Sequence, residues 1–337
     1  MKQDLRTTKI ASDLIISKII NGMWQVAGGH GDINPSSAIS EMFLYHDLGF
    51  TTWDMADIYG PAEQFFGEFV KQFEKKYGPD KLNQIQGLTK FVPNPGPMTR
   101  GIVEHYIEKS LKQMNLKSID VLQFHWWDYT DTRYLDALHH LSKIQNEGKI
   151  KHMGLTNFNT DIIEIMLEQG FNLASNQVQY SIIDQRPQVK MTHMCSKNQI
   201  HLLAYGTLCG GFLSKKYLAK PEPTRSQLDT YSLQKYKKMI DAWGGWNLFQ
   251  ELLSVLDEIA KKHHSSIANV STRYILDKPV VAGVIIGTRL GLSEHRSDNL
   301  NTFSLHLDDE DHTMIQSVIS KSNDLFEIIG DCGDEYR

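Results

Sequence analysis

Short apolar, β-prone segments alternate with longer segments of helical period along nearly the whole chain, the pattern of β/α units around a parallel sheet. The spacing predicts eight strands, at 19–23, 51–55, 84–88, 121–124, 152–155, 175–178, 201–204 and 284–286. Between them, Val103, Tyr106, Ile107, Leu111 and Met114 share one helical face behind Thr99 as N-cap, and Tyr134, Leu135, Leu138, Leu141 and Ile144 share another that stops before Gly148. Phe65, Phe66, Phe69, Val70 and Phe73 form a third stripe, and Phe249, Leu252, Leu253, Leu256 and Ile259 a fourth; such stripes are core rather than cofactor contacts. Residues 32–37 read as a capping-rich loop before the first helix. Eight alternating units with no Pro/Gly/Ser-rich linker favour a single domain over 1–337, a (β/α)8 TIM barrel of the α/β class, over an open doubly wound sheet.

Two segments fall outside the repeat. Residues 7–17 carry Ala11-Ser12-Asp13 between two β-prone runs and predict an N-terminal hairpin covering the barrel's N-terminal mouth. Residues 206–246, rich in Lys, Tyr and polar side chains, follow the seventh strand and are expected to lie over the opposite, C-terminal face, with 232–250 as a substrate lid.

Composition adds exclusions. With 41% hydrophobic and 22% charged residues the chain can bury a large core, and its net charge of −5 gives no footprint for nucleic acid or an anionic membrane. Cys195, Cys209 and Cys332 are odd in number and lack CxxC spacing, as in a reducing compartment. The N-terminal stretch lacks the apolar core of a signal peptide and the longest apolar run, 280–286, is too short to span a bilayer, so a cytoplasmic location is expected. Fourteen histidines are present. His139-His140 and His263-His264 make no ligand set, and His193, Cys195 and His201 divide between a helix and a strand, so no metal is expected.

In this fold the reactive groups sit at the C-terminal ends of strands, and here those ends present Asp54 and Tyr59 after the second strand, Lys90 after the third and His125 after the fourth. A phenol titrates near pH ~10, and a neighbouring ammonium lowers that by favouring phenolate. Lys90 is the candidate ammonium, Asp54 the carboxylate that holds it charged, and His125 the group that orients a substrate oxygen. Each alone is unremarkable; their conjunction on three successive strands carries the inference.

These residues resemble the aldo-keto reductase family over essentially the whole chain. Gly49-Phe50-Thr51-Thr52-Trp53-Asp54-Met55-Ala56-Asp57-Ile58-Tyr59-Gly60 is similar to the family's Asp and Tyr segment, Lys90 falls in its Thr-Lys position and His125 ends its Gln-Phe-His strand. The resemblance implies a metal-free barrel that binds NADP(H) along its C-terminal face and reduces an aldehyde or ketone to an alcohol by hydride transfer, with Tyr59 as general acid. Gly154-Leu155-Thr156-Asn157-Phe158 and Asn176-Gln177 then match nicotinamide-contacting segments, with Thr156, Asn157 and Gln177 on the carboxamide and Tyr205 stacked on the ring. Taken from the residues alone, Thr156 and Asn157 have a second, lesser reading as the N-cap of the helix before Ile162. Gly206, Thr207, Leu208 and Gly210 resemble the pyrophosphate loop, where small residues let N–H groups approach an anion. Gly287, Thr288, Arg289, His295, Asp298 and Asn299 resemble the adenosine-phosphate site, with Arg289 pairing a 2′-phosphate. The family's usual lysine is Gly287 here, the proline before it Ile286, and 290–293 is longer than the common spacing, which leaves NAD(H) open beside NADP(H). Thr207 also replaces a usual proline. Trp24, counted with cofactor and substrate, joins Trp126 and Trp127, and with Trp243 or Trp246, in an aromatic substrate pocket, or else these rings pack the barrel. Two other functions compete: a nicotinamide-binding redox-sensing subunit with little turnover, and a metal-assisted hydrolase.

Overall fold

The computed structural model describes residues 5–28 and 33–337. Strands β1 (Thr7–Ala11) and β2 (Leu14–Ser17) pair antiparallel as the expected hairpin. The chain then lays down β3 (Ile19–Gly22), β4 (Thr52–Asp54), β5 (Gln86–Phe91), β6 (Ile119–Phe124), β7 (Ile150–Thr156), β8 (Ser175–Gln179), β9 (His201–Tyr205) and β10 (Val281–Gly287). These eight close a parallel barrel in chain order, β10 returning to β3, so the fold is a (β/α)8 TIM barrel. All eight predicted strands occur. The third starts later than expected because residues Pro79–Gln84 coil into a 3-10 turn.

Helices α1 (Pro35–Asp47), α2 (Ala62–Tyr77), α3 (Arg100–Met114), α4 (Tyr134–Asn146), α5 (Thr160–Glu168) and α6 (Met191–Asn198) follow β3 to β8 in turn. Three more, α7 (Tyr231–Trp243), α8 (Gly245–Lys262) and α9 (Ile267–Leu276), separate β9 from β10, and α10 (Arg296–Asn301), α11 (Asp309–Ile319) and α12 (Leu325–Ile329) follow it. Local chemistry sets their ends: the Thr99 hydroxyl accepts the Ile102 N–H, and Gly148 takes φ 82° just past α4, a conformation open to glycine at no steric cost. Asn34 caps α1 by accepting from Ser37 N–H; Asp32 of the predicted capping loop lies outside the described residues. The apolar stripes face inward as read, with Val103, Ile107, Leu111 and Met114 buried on α3 and Leu252, Leu253, Leu256 and Ile259 on α8.

Strand alternation sorts the barrel interior into layers. Ile20, Leu88, Val121, Leu203 and Ala282 form an apolar floor, sealed from below by Ile10, Leu14 and Ile16 of the hairpin. Two residues further along their strands, Leu88 gives way to Lys90 and Val121 to Gln123, both buried. The interior therefore turns polar at the C-terminal end, where water has been excluded from beneath.

The long segment after β9 departs from expectation. Residues 231–243 form an amphipathic helix that buries Leu233, Tyr236, Met239, Ile240 and Trp243, so 232–250 flanks the cleft instead of forming a separate lid. Trp243 is buried, and Trp246 packs against Phe212 and Phe249 while its indole N–H donates to the Lys220 carbonyl. Neither ring lines a substrate pocket; both hold α7 and α8 to the body.

Candidate active site

The strand-end residues meet because β4, β5, β6 and β8 deliver them at one level of the barrel. Lys90 Nζ lies 2.6 Å from Asp54 Oδ2 and donates to the Met55 carbonyl at 2.9 Å. Asp54 Oδ1 accepts from Gln123 Nε2 at 2.8 Å and from Gln177 Nε2 at 2.7 Å. The carboxylate is thus fully hydrogen-bonded, which a buried charge requires. Lys90 Nζ also stands 4.9 Å from the centre of the Tyr59 ring, so the ammonium and the phenol are neighbours as the spacing implied.

One expectation is corrected. Burial, with Asp54, Tyr336 and Asp57 adding to it, pushes the Tyr59 phenol well above its ordinary value instead of lowering it. Burial likewise pulls the Lys90 ammonium down against the attraction of Asp54. Tyr59 holds its proton in this ligand-free state. Asp57, unassigned from sequence, clamps the same strand end: its N–H donates to the Lys90 carbonyl at 3.1 Å and its carboxylate accepts the Val92 N–H at 3.2 Å. Burial pushes that carboxyl up to about 7.

His125 Nδ1 lies 3.1 Å from the Thr156 carbonyl. A carbonyl only accepts, so the ring proton sits on Nδ1 and Nε2 carries a lone pair. Burial lowers the ring to about 4, keeping it neutral, and Nε2 is buried without a partner. Such an orphaned acceptor suits a hydroxyl donor, either a product alcohol or the phenol. Trp127 packs edge-on to His125 at 4.4 Å and Trp24 edge-on to Tyr59 at 4.9 Å, both rings partly exposed. Trp126 is instead a core residue: it is buried against Phe124 and its indole N–H donates to the Asp131 carbonyl. Of the three tryptophans expected to line a pocket, only Trp24 and Trp127 stand at the surface.

The residues matched to the nicotinamide end converge on the adjoining strands. The helix-cap alternative for Thr156 and Asn157 fails, because the cap of α5 is Asn159, whose Oδ1 accepts the Ile162 N–H. Asn157 instead takes φ 59° and its Oδ1 accepts the Tyr205 hydroxyl at 2.8 Å. Gln177 spends both amide hydrogens inside the barrel, on Asp54 and on Gln123 Oε1, and so has only its own Oε1 for a ligand.

In the glycine-rich loop after β9, Thr207 is buried with its hydroxyl on the Tyr180 carbonyl. Turns within the loop use the N–H groups of Cys209, Gly211, Phe212 and Leu213; those of Leu208 and Gly210 have no acceptor among the described hydrogen bonds, a donor pair suited to an anion. Gly206 and Gly210 have a second role. A Cβ on Gly206, at φ 71°, would lie 2.2 Å from Tyr236 Oη, and one on Gly210 2.9 Å from Tyr236 Cδ2, so these glycines admit α7 against the loop. At the far end, the Thr288 N–H and hydroxyl both donate to the Gly22 carbonyl. A Cβ at Gly287 would meet the end of the Gln25 side chain, which occupies the space beside it. Arg289 and His295 are exposed. Asp298 accepts from Ser266 Oγ and Asn269 Nδ2, which ties α10 to α9, and Asn299 is buried.

Sequence reasoning missed the last residues of the chain. Arg186, buried after β8, forms a two-point pair with Asp184 and reaches Glu335 at 2.9 Å and the Asp331 carbonyl at 3.1 Å. From that anchor, Tyr336 Oη comes to 3.0 Å from Tyr205 Oη, and Lys235 Nζ to 2.5 Å from Tyr336 Oη. Arg337 donates to the Asn157 carbonyl at 2.8 Å and to the Trp126 carbonyl, and lies 3.7 Å from the centre of the Tyr129 ring. An irregular Gly-Asp-rich segment carries no periodicity that announces such contacts. Elsewhere, His263, Asp308 and Asp311 are close enough to hold a cation, but the Lys262 ammonium already bonds Asp308 and Asp311. No helix among the described residues is long and apolar enough to cross a membrane.

Comparison with known proteins agrees with this geometry. The chain is 25% identical over 310 residues to an aryl-alcohol dehydrogenase of Pestalotiopsis microspora, covering 87% of this chain and 74% of that one. It is 22% identical over 330 residues to the NADH-specific methylglyoxal reductase of Escherichia coli, covering 91% and 96%. It is also 26% identical over 262 residues to flagellar radial spoke protein 5 of Chlamydomonas reinhardtii, but covers 66% of this chain and spans only about half, 49%, of that protein. In fold it is similar to the glycerol dehydrogenase AKR11B4 of Gluconobacter oxydans, with a TM-score of 0.77 at 21% identity over 95% of this chain and 96% of that one. The model of the aldo/keto reductase family matches residues 18–320, a span that takes in the barrel and the whole buried Asp54–Lys90 layer, and the chain belongs to that family.

Proposed function

We propose that this chain is an NADP(H)-dependent reductase that converts an aldehyde or ketone to an alcohol, with Tyr59 supplying the proton. The observation that carries the reading is the contact series Asp54–Lys90–Tyr59, with His125 and its unpaired Nε2 just past the end of the strand paired with that of Lys90. The residues fit a nicotinamide cofactor: Leu208 and Gly210 for the pyrophosphate, Asn157, Gln177 and Tyr205 for the nicotinamide, Arg289 for the 2′-phosphate. When bound, that cofactor supplies the hydride. Tyr59 gives its proton to the carbonyl oxygen as that oxygen gains charge, and Lys90 stabilises the phenolate left behind. Asp54, held by Gln123 and Gln177, keeps the Lys90 ammonium charged and aimed. His125 Nε2 accepts the hydroxyl of the product alcohol, and Trp24 and Trp127 favour a flat or apolar carbonyl.

The likeness to a flagellar spoke protein raises the alternative of a nicotinamide-binding subunit without turnover. A buried ion pair is weak as a source of stability and expensive to desolvate. A purely binding protein gains nothing from Asp54–Lys90, so retention of the pair favours the enzyme. The test is a fluorescence titration with NADPH and NADH, followed by cofactor oxidation with aromatic aldehydes, ketones and sugars. NADPH binding and oxidation with at least one aldehyde are expected; tight binding with no oxidation across the panel would favour the subunit. Arg289→Ala should weaken NADPH binding about 10–100-fold, the worth of a charge-assisted contact, and leave NADH nearly unchanged.

A further inference from the structure

We propose that the chain carries its own occupant of the nicotinamide end of the cleft, the tip Tyr336–Arg337, and that cofactor must displace this tip to bind. The inference rests on the nicotinamide reading above. Two observations carry it. First, the tip's contacts fall on residues of that end: the Tyr205 hydroxyl, the Asn157 and Trp126 carbonyls, and the edge of His125, whose ring centre lies 6.3 Å from that of Tyr336. Secondly, Tyr336 draws Lys235 inward, so that the ammonium stands 5.1 Å from the centre of the Tyr205 ring and 4.5 Å from that of Tyr336. A cation over the ring of Tyr205 competes with the face on which a nicotinamide would stack.

The segment is built in two parts. Its base is fixed: Asp331 and Cys332 are buried, Asp331 Oδ2 accepts the Thr160 N–H at 2.8 Å, and Glu335 pairs with buried Arg186. Its tip is exposed and held by a few hydrogen bonds and by cation–ring contacts, Lys235 over Tyr336 and Arg337 over Tyr129. The tip can therefore leave without disturbing the base.

An occupant that must vacate the site lowers apparent affinity by the fraction of molecules in which the site is open. Contacts of this number and exposure hold the tip down in most molecules, and their loss should tighten NADPH binding about 3–30-fold. The experiment measures NADPH dissociation constants by fluorescence for the wild-type chain, Tyr336→Ala, Arg337→Ala and the double variant, and hydrogen exchange of 333–337 in wild type with and without NADPH. Progressive tightening across the variants, together with faster exchange of the tip on NADPH addition, is the expected result. Equal affinities, or weaker binding with slower exchange, would overturn the proposal and show instead an inert or clamping tip. Absence of NADPH and NADH binding in every protein, wild type and variants alike, would overturn the nicotinamide reading itself and the occupant with it.

Discussion

The β4–β6 side of the barrel mouth and the β9–β10 side are built on opposite principles. On the first, Asp54, Lys90 and Gln123 are buried, hydrogen-bonded to one another and supported by an apolar floor. On the second, glycines, exposed Arg289 and the tip at Tyr336 face solvent or one another across a loop. Chemistry that depends on fixed distances sits on rigid strands, and binding that must open and close sits on loops. The difference should appear in how each side responds to substitution.

The largest effect belongs to the buried side. Asp54→Leu strands the Lys90 ammonium and should cost about 3–5 kcal/mol of stability in chemical denaturation. Lys90→Met should cost less, because Asp54 keeps its two amide donors. Equal, small losses in both variants would show that the pair is not buried in solution.

Next come two pH effects of opposite sign in the same layer. His125 has its folded value depressed to about 4, so its contribution is present above the unfolded value near ~6.5 and is lost as pH falls through 4. Asp57 has its folded value raised to about 7, so its contribution is present below ~4 and is lost as pH rises through 7. Each is on the order of 3 kcal/mol and they largely cancel in the wild type. Denaturation between pH 4 and 7 should reveal a stability that falls with rising pH in His125→Phe and one that rises with pH in Asp57→Asn. Flat profiles in both variants would contradict the assignments.

The smallest effect belongs to the loop side. Gly206→Ala meets both a positive φ and the Tyr236 hydroxyl and should lose about 1–3 kcal/mol, part of which Tyr236→Phe should restore. Full additivity of the two substitutions would show that loop and helix are not in contact.

The same contrast governs what could be read from the sequence. Strand period places all eight barrel strands, and helix period places the buried stripes of α2, α3, α4 and α8. Asp54, Tyr59, Lys90 and His125 stand out in the sequence because each ends or follows a strand. The tautomer of His125 does not, since it depends on the Thr156 carbonyl of a neighbouring strand. Nor does the upward push on Tyr59, which comes from burial that no local pattern records. Tryptophan 126 looked like a pocket residue by adjacency to His125, yet consecutive residues point to opposite faces, and its ring falls in the core. For Trp243 and Trp246 the packing alternative holds, because both rings fall on the buried faces of α7 and α8. Asp298 satisfied a motif while serving as a tie between α9 and α10. The tip at Tyr336 and Arg337 lay beyond any periodic signal and is held by contacts across the full length of the chain.

The most direct test of the account is Tyr59→Phe, with NADPH affinity and single-turnover cofactor oxidation measured on the same protein. The account predicts affinity within about 3-fold of wild type and oxidation slowed about 10²–10⁴-fold, the worth of a positioned general acid. Oxidation that proceeds within a few-fold of the wild-type rate would show that the phenol beside Lys90 is not the proton donor.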